Sequence, residues 1–438
     1  MSQPRTFILV NRSAYFVSRD IERISYERLR PRISARLPVL SPESVEIFSA
    51  DGRYLAAAVR AAKSVPPYDV SEKDGFAVSS RALAEATSDN PITLRVTDTV
   101  SPGRISRKQL GSGECMKILT GAYLPPGADA VVMQEDVEFV RGRATFTKSI
   151  NVGANLFRAG SDIKKGEVLF DKGHRLSFED TYILDSAGIS DVPVTQRVKV
   201  GVLATGDELT GERSKTRDGF ILDINRPVIM SHLERCGFLA TDAGLARDDI
   251  DDISGHIERV LSKVDALITT GGSSVSNVDL VSESLSSMNT KRVFHGVKMR
   301  PSSTAGLSLH GSKPIFILSG LIQSCLVALY SFVIPSLRFM AGLGYTFHSA
   351  IEAKIEDDFK LWGEPGFKRA VWVHIENRNG VLYAIPSPAS SHSRSVLRTS
   401  HGFFIGNSGS IITKGSTIQI IQVRDLNQQQ NIKRVNTR

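Results

Sequence analysis

From Arg197 onward the chain alternates short apolar runs with segments of helical spacing, and that alternation limits its fold more than any other feature. "VKVGVLAT", "FLATDAGLA", "DALITT" and "KPIFILSG" read as short strands. Between the first two lies "RPVIMSHLERCG", with Pro227 early and Gly237 as its stop. "DIDDISGHIERVLSKV" follows, an amphipathic helix with acids in the first turn, where the helix dipole favours them. Further helices are predicted from about Val278 and about Leu321. Strand, helix, strand in this rhythm predicts a parallel sheet flanked by helices. The flanking regions have another texture. Residues 91–175 read as strands and turns, as in "ITLRVTDTV" and "ADAVVMQEDVEFV". After Phe347 the chain turns β-like again, with a hairpin at Asn379-Gly380 and a last strand in "GSTIQIIQV".

Composition excludes several classes. At 438 residues the chain is too long for one ordinary domain, and three or four are expected. The longest candidate membrane span, Leu318 to Met340, is interrupted by Gly320, Gln323, Ser324, Ser331, Pro335 and Arg338, so no span is predicted. "MSQPRTFILVNRS" is not a secretory signal. The three cysteines, Cys115, Cys236 and Cys325, are odd in number and far apart, which fits a reducing cytoplasm and no disulfide framework. The net charge of +8 is dispersed apart from "ERLRPRISAR" and "KRVNTR", and neither stretch has interleaved aromatics. An anionic small molecule explains that charge more economically than nucleic acid.

"DALITTGGSSVSNVD", residues 265–279, concentrates small polar residues where a strand ends and a helix begins. In an open parallel sheet, ligands sit beyond the carboxyl ends of the strands. Glycines there let backbone approach a ligand, and free N–H groups and hydroxyls supply donors for an anion. A phosphate cradle is one reading and a small polar turn the other. "VLATGDELT" ends a second strand with Asp207 and Glu208. Adjacent carboxylates suit Mg²⁺, which keeps several waters and takes one or two carboxylates; helix capping is the alternative. No GxxxxGK motif and no Ser-His-Asp set is legible, and His256 and His295 read as surface residues. In "SVPPYDVSEKDGFAV", two prolines and a permissive Gly75 predict a shaped loop.

Several stretches together resemble the molybdopterin molybdenumtransferase family, called MoeA in bacteria and the gephyrin E domain in animals. They are "PPYDVSEKDGFA", "TGAYLPPGADAVVMQED", "RAGSDIKKGEVL", "TGDEL", "DINRP" and "ITTGGSSVSNVD", in the family's order, and the resemblance runs from about residue 40 to the C-terminus. It implies an α/β multidomain chain: an α/β pterin-binding domain with a parallel-rich sheet, β-rich N-terminal domains and a C-terminal β-barrel-like domain. The expected boundaries are 1–90 (N-terminal α+β, part of an extended dimerisation domain), 91–165 (β-rich insertion) and 166–196 (return to the dimerisation domain). The molybdopterin-binding domain is then 197–345 and the C-terminal β domain 346–438. The implied reaction inserts molybdate or tungstate into adenylylated molybdopterin, releases AMP and requires Mg²⁺. The implied assembly is a homodimer whose clefts are shared between subunits, served by a paralogous molybdopterin adenylyltransferase.

Carried over by position, the resemblance nominates Asp74, Thr120, Asp162, Glu208, Asp248 and Asp279 as catalytic. It nominates Gly271, Gly272, Ser274, Ser276, Asn225, Lys298 and Arg300 for the pterin nucleotide, and Asp207 with Glu208 for the metal. A turn-stabilising role is the alternative for Asp74, a cap for Thr120, and an N-cap for Asp248. Three departures stand out. The family's "MxPGKPxxFG" reads "MRPSSTAGLS", which puts Ser303 at the lysine; "LPGNPVSA" reads "LSGLIQSC"; and Ser276 replaces a glycine. Arg300 and Lys298 are the candidate replacements for the lysine, although a lysine point charge and an arginine fork differ. A non-catalytic pterin-binding paralogue, or a partner of an active homologue, is the second expectation.

Overall fold

The computed structural model describes residues 23–271, 279–387 and 394–426. The chain forms two units: residues 42–194, and residues up to 41 together with those from 195 on. The predicted cradle residues Gly272, Ser274 and Ser276 lie outside the described residues.

In the larger unit, six strands form one sheet in the order Leu239–Ala246, Lys199–Thr205, Ala266–Gly271, Lys313–Leu318, Gly306–His310, Lys291–His295. The first four are parallel, as the apolar runs predict. The last two are antiparallel, so the sheet is parallel-rich rather than wholly parallel. Successive residues of a strand face opposite sides. Val200, Val202, Ile268 and Phe316 enter one core, covered by the helices Asn225–Arg235 and Ile322–Ala328. Leu203, Leu267, Ile315 and Ile317 enter the other, under Ile250–Leu261 and Leu280–Ser287. In Ile250–Leu261 the buried residues are Ile253, Ile257, Val260 and Leu261, one stripe of a 3.6-residue repeat. Each buried side chain contributes about 1.5–3 kcal/mol before entropy is counted.

Among the described residues one helix, Ile322–Met340, is long and apolar enough to cross a membrane, but 83% of its apolar window is buried inside the protein, as befits a core helix. It widens into a π-helical turn at Leu329–Val333, directly before Pro335, whose ring excludes a regular backbone bond there.

A closed barrel follows. Lys368–Arg378, Val381–Pro386, Ala350–Ile355, Thr417–Gln422 and Gly402–Asn407 pair in turn, and the last strand pairs back onto the first. The predicted hairpin at Asn379-Gly380 is present, with both residues at positive φ as a tight hairpin turn requires.

In residues 42–194, a sheet runs Ala130–Met133, Gly75–Val78, Glu114–Ile118, Ile92–Val100, Arg143–Phe146, Val137–Val140. Gly75 sits in its middle for want of space rather than for an unusual backbone. A Cβ there would lie 2.0 Å from the Val132 carbonyl oxygen. Beside this sheet, the helix Phe178–Ser186 packs with Ile47, Leu55 and Val192 through Leu184.

Candidate active site at the carboxyl edge of the parallel sheet

From Lys199–Thr205 the chain crosses to Leu239–Ala246 on one side, then returns to Ala266–Gly271 on the other. The carboxyl ends of Lys199–Thr205 and Ala266–Gly271 therefore flank a topological switch point, where loops diverge and leave a crevice. A cavity of about 1130 Å³ opens there. Thr205, Glu208, Gly271 and Gly320 line it from the sheet, and Trp362 and Arg369 from the C-terminal β region.

The walls are fixed by local geometry. Gly271 has φ +99°, and a Cβ on it would lie 2.1 Å from the Thr205 carbonyl oxygen. Only glycine lets the two strand ends come this close. Gly206 has φ +151°, and the Glu208 carboxylate folds back to within 2.6 Å of where its Cβ would be. Asn225, the first residue of its helix, donates from Nδ2 to the Gly320 carbonyl (2.7 Å) and to Thr270 Oγ1 (3.2 Å). Thr270 Oγ1 in turn donates to the Ser319 carbonyl (3.2 Å). This amide and hydroxyl tie three strand-end loops together. Asp223 is buried and accepts from Arg226 Nε at 2.8 Å, so its charge is matched inside the wall.

Of the sequence candidates, Glu208, Asn225, Gly271 and Arg300 line the cavity. Asp207, Asp248, Asp279 and Lys298 are not among the described residues that do so. Asp207 Oδ1 accepts the Asp248 backbone N–H at 3.1 Å, which couples those two neighbouring turns. Asp248 is exposed and caps no helix; the N-cap is Asp249, which accepts from the N–H groups of Asp251 and Asp252. Asp279 caps Leu280–Ser287 through Ser282, and its Oδ2 lies 3.1 Å from His295 Nε2. Burial works against the Asp279 charge, but the bonds from His295 and Ser282 outweigh it and hold the carboxyl below its usual range. His295 is thus no surface residue: its side chain is 10% exposed, and His256 is also largely covered. Lys298 is exposed, and its backbone bonds to Ile24 and Lys368.

The cations at the cavity exceed what the motifs foretold. Arg300 is joined by Lys360, Arg369 and Arg394. Arg369 is depressed below the usual guanidinium range, by burial first and then by the Arg300 charge. Nothing near "KRAVW" or "SRSVL" announces this; pairing of Lys368–Arg378 with Met299–Arg300 brings Arg369 beside Arg300, and Arg394 joins from the segment before the short helix Val396–Thr399. Trp362 had a fainter signal: a tryptophan in the Gly/Pro turn "LWGEPG", where no core would hold it.

Among the described residues, no group of three or more His, Cys, Asp or Glu is gathered to hold a metal. That fits an ion that takes one or two hard carboxylate oxygens and keeps its waters, as Mg²⁺ does. Glu208 is a carboxylate that lines the cavity, while its neighbour Asp207 does not.

In residues 42–194, Asp74 and Thr120 are brought together, although 46 positions apart. Asp74 Oδ1 accepts the Thr120 backbone N–H (2.7 Å) and hydroxyl (2.9 Å). Those two bonds hold its carboxyl below the usual range, the backbone one first. Asp162 is exposed on a loop whose backbone pairs with Val65. Asp69, unnominated by sequence, secures that loop by accepting from Arg158 (2.6 Å) and the Ala159 N–H (2.8 Å).

Comparison with known proteins bears on the family and the fold. Residues 24–188 match the family described as MoeA N-terminal region (domain I and II), and residues 201–338 match the probable molybdopterin binding domain. A Bacillus subtilis (strain 168) protein named molybdopterin molybdenumtransferase is 33% identical over 383 residues, covering 86% of this chain and 88% of that one. Its namesake from Staphylococcus aureus (strain N315) is 32% identical, covering 70% of this chain and 73% of its own. Two crystal structures of the molybdopterin biosynthesis MoeA protein from Pyrococcus horikoshii superpose with TM-scores of 0.82 and 0.72, at 27% identity over 92% of this chain and all of theirs. The chain belongs to the molybdopterin molybdenumtransferase family.

Proposed function

We propose that this protein is a transferase of molybdenum cofactor biosynthesis, inserting molybdate into adenylylated molybdopterin with release of AMP. The observation that carries the reading is the cavity at the switch point, with Glu208 on the sheet side and Arg300, Arg369, Arg394 and Lys360 around it. A phosphoanhydride and an oxyanion both need such donors. The relatives that carry the transferase name span most of this chain at 30–33% identity, so the reading of a non-catalytic paralogue is not favoured.

The arginines bind and orient the anionic groups of the substrate and the incoming molybdate. Asn225 keeps the Thr270 and Gly320 loops in register, so that the floor does not spread under the ligand. Glu208 and Asp207 would hold Mg²⁺, which when bound neutralises pyrophosphate charge. Asp74, kept ionised by Thr120, is an acceptor for a water or a substrate hydroxyl. Asp162, Asp248 and Asp279 stay as candidates for positioning the reacting groups. Gly272, Ser274 and Ser276 are proposed as the phosphate cradle beyond Gly271, and Lys298 as a further cation. The substrate is supplied by a paralogous molybdopterin adenylyltransferase, and the working form is a homodimer. Exposed Phe48, Phe178 and Tyr182 in residues 42–194 support that assembly.

The test is direct. Purified protein with adenylylated molybdopterin, molybdate and Mg²⁺ should release AMP and yield cofactor that activates an apo-molybdoenzyme. AMP release that does not depend on molybdate, or no release at all, would sink the reading. Running tungstate in parallel measures the metal preference.

A further inference from the structure

Large apolar side chains seldom stand in water inside a cavity unless something covers them. Four do so here: Ile221 (50% exposed), Ile224 (41%), Leu321 (41%) and Trp362 (69%), all lining the cavity at the sheet edge. Trp362 is the largest and the most exposed of them. The residues on either side of it are tied down. Leu361 donates its N–H to the Ser410 carbonyl (2.9 Å) and accepts from the Gly409 N–H (2.6 Å), while its side chain is buried. On the far side, a Cβ at Gly363 would lie 2.7 Å from Ser408 Oγ, so the turn is closely packed. The Lys360 ammonium sits 4.2 Å from the centre of the indole ring. A cation over the ring orients the indole and still leaves most of it open. The cavity thus offers a flat aromatic surface beside Lys360, in a lining that also includes Arg369 and Arg394.

We propose that Trp362 is the platform on which the planar heteroaromatic ring of the substrate stacks, with Lys360 beside it to meet the phosphate that the ring carries. The proposal rests on the reading of the cavity as the substrate site and adds a positioning residue from the C-terminal β region. Adenine and pterin share the chemistry of a flat nitrogenous ring linked to phosphate, so the platform would accept either, and the experiment separates them. An indole also discriminates: it rewards a ring and is indifferent to a bare phosphate.

The chain has two tryptophans, Trp362 and Trp372, so the emission of Trp362 is the difference between wild type and Trp362→Phe. Titrations use AMP, 6-carboxypterin and ribose 5-phosphate, which carries phosphate without a ring. In wild type, AMP or 6-carboxypterin should quench the Trp362 component, and ribose 5-phosphate should not. By calorimetry, Trp362→Ala should weaken the quenching ligand about tenfold or more, the range of one base–aromatic stack. It should leave ribose 5-phosphate within about twofold, and Trp362→Phe should keep most of the affinity. Whichever ligand shows this split identifies the ring. Equal loss for ribose 5-phosphate and ring ligands, or no loss for any, overturns the platform while AMP release by wild type keeps the substrate reading intact. A wild type that binds none of the three and releases no AMP overturns both. Unfolding midpoints of the variants, matched to wild type, confirm that a side chain this exposed was not holding the fold.

Discussion

Ser302 is a residue whose energetics oppose each other. It has φ +96°, a region that favours glycine, and it is almost fully buried. Its Oγ donates to the Ser324 carbonyl at 2.6 Å. A left-handed backbone costs a side-chain-bearing residue about 1–2 kcal/mol, and a hydrogen bond returns about 0.5–1.5 kcal/mol. The two nearly cancel. Ser302→Ala keeps the strain and loses the bond, so urea unfolding should show a loss of about 1–2 kcal/mol. Ser302→Gly loses the bond but relieves the strain, and should fall within about 1 kcal/mol of wild type. Glycine as damaging as alanine would refute the balance. The family pattern has a glycine there, so the substitution was visible in sequence; the hydrogen bond that permits it was not. One position on, Ser303 lines the cavity where the family carries lysine. Ser303→Lys adds a charge-assisted contact worth about 1.5–3 kcal/mol, so molybdate should bind about tenfold tighter. Unchanged affinity would mean that Arg300 and its neighbours already satisfy the oxyanion.

At the scale of elements, the four parallel strands and their helices were legible because each is an apolar run or a 3.6-residue stripe that must be buried locally. The antiparallel edge strands Lys291–His295 and Gly306–His310 were not, since ten residues of loop part them and no tight turn marks the pair. The barrel was expected only through the family resemblance, because the local pattern does not show that Lys368–Arg378 meets Gly402–Asn407 through distant pairing. That closure buries His401, which accepts the Ile375 N–H at Nδ1 (3.0 Å) and lies with its ring centre 4.8 Å from that of His374. Burial, and then the neighbouring His374 and Arg424, push His401 down to about 4. A histidine depressed from its ordinary value of about 6.5 is neutral in the folded state while the unfolded chain takes up the proton. Its contribution is therefore present above about pH 6.5 and lost as pH falls toward 4. His232, held by Tyr330 at 2.7 Å and also depressed to about 4 by burial, adds to the same window. Stability should drop by on the order of 1–3 kcal/mol per histidine across it. His401→Gln keeps an acceptor without a titration, and should flatten that slope in unfolding curves recorded from pH 7 to 4. An unchanged slope would assign the acid sensitivity elsewhere.

At the scale of the whole molecule, the nominated groups divide between the two units. Asp74, Thr120 and Asp162 belong to residues 42–194, and Glu208, Asn225 and Arg300 to the other unit. Sequence motifs nominated both sets, because each is a short local pattern read in place. They did not nominate Arg369 or Arg394, and Trp362 had only the signal of an aromatic in a turn; all three line the cavity from segments distant in sequence. The proposed homodimer has a candidate surface. Phe178 (64% exposed) and Tyr182 (80%) lie one helical turn apart on one face of Phe178–Ser186. Covering each in a dimer is worth up to about 1.5–3 kcal/mol, so Tyr182→Glu should shift the sedimentation profile toward monomer; an unmoved profile would place the contact elsewhere. We propose that in the dimer each active cleft takes Asp74 from one protomer and Glu208 from its partner. Asp74→Ala and Glu208→Ala homodimers should then both be inactive. When the two chains are mixed and re-equilibrated, half the dimers are hybrids. Each hybrid has one cleft with both defects and one with neither. The mixture should therefore recover about a quarter of wild-type turnover, as two-fold symmetry dictates. Recovery should also require a dimer, so adding Tyr182→Glu to both chains should abolish it. Hybrids isolated by dual tags that stay inactive would instead put Asp74 and Glu208 of one chain in the same cleft, or one of them outside the chemistry altogether.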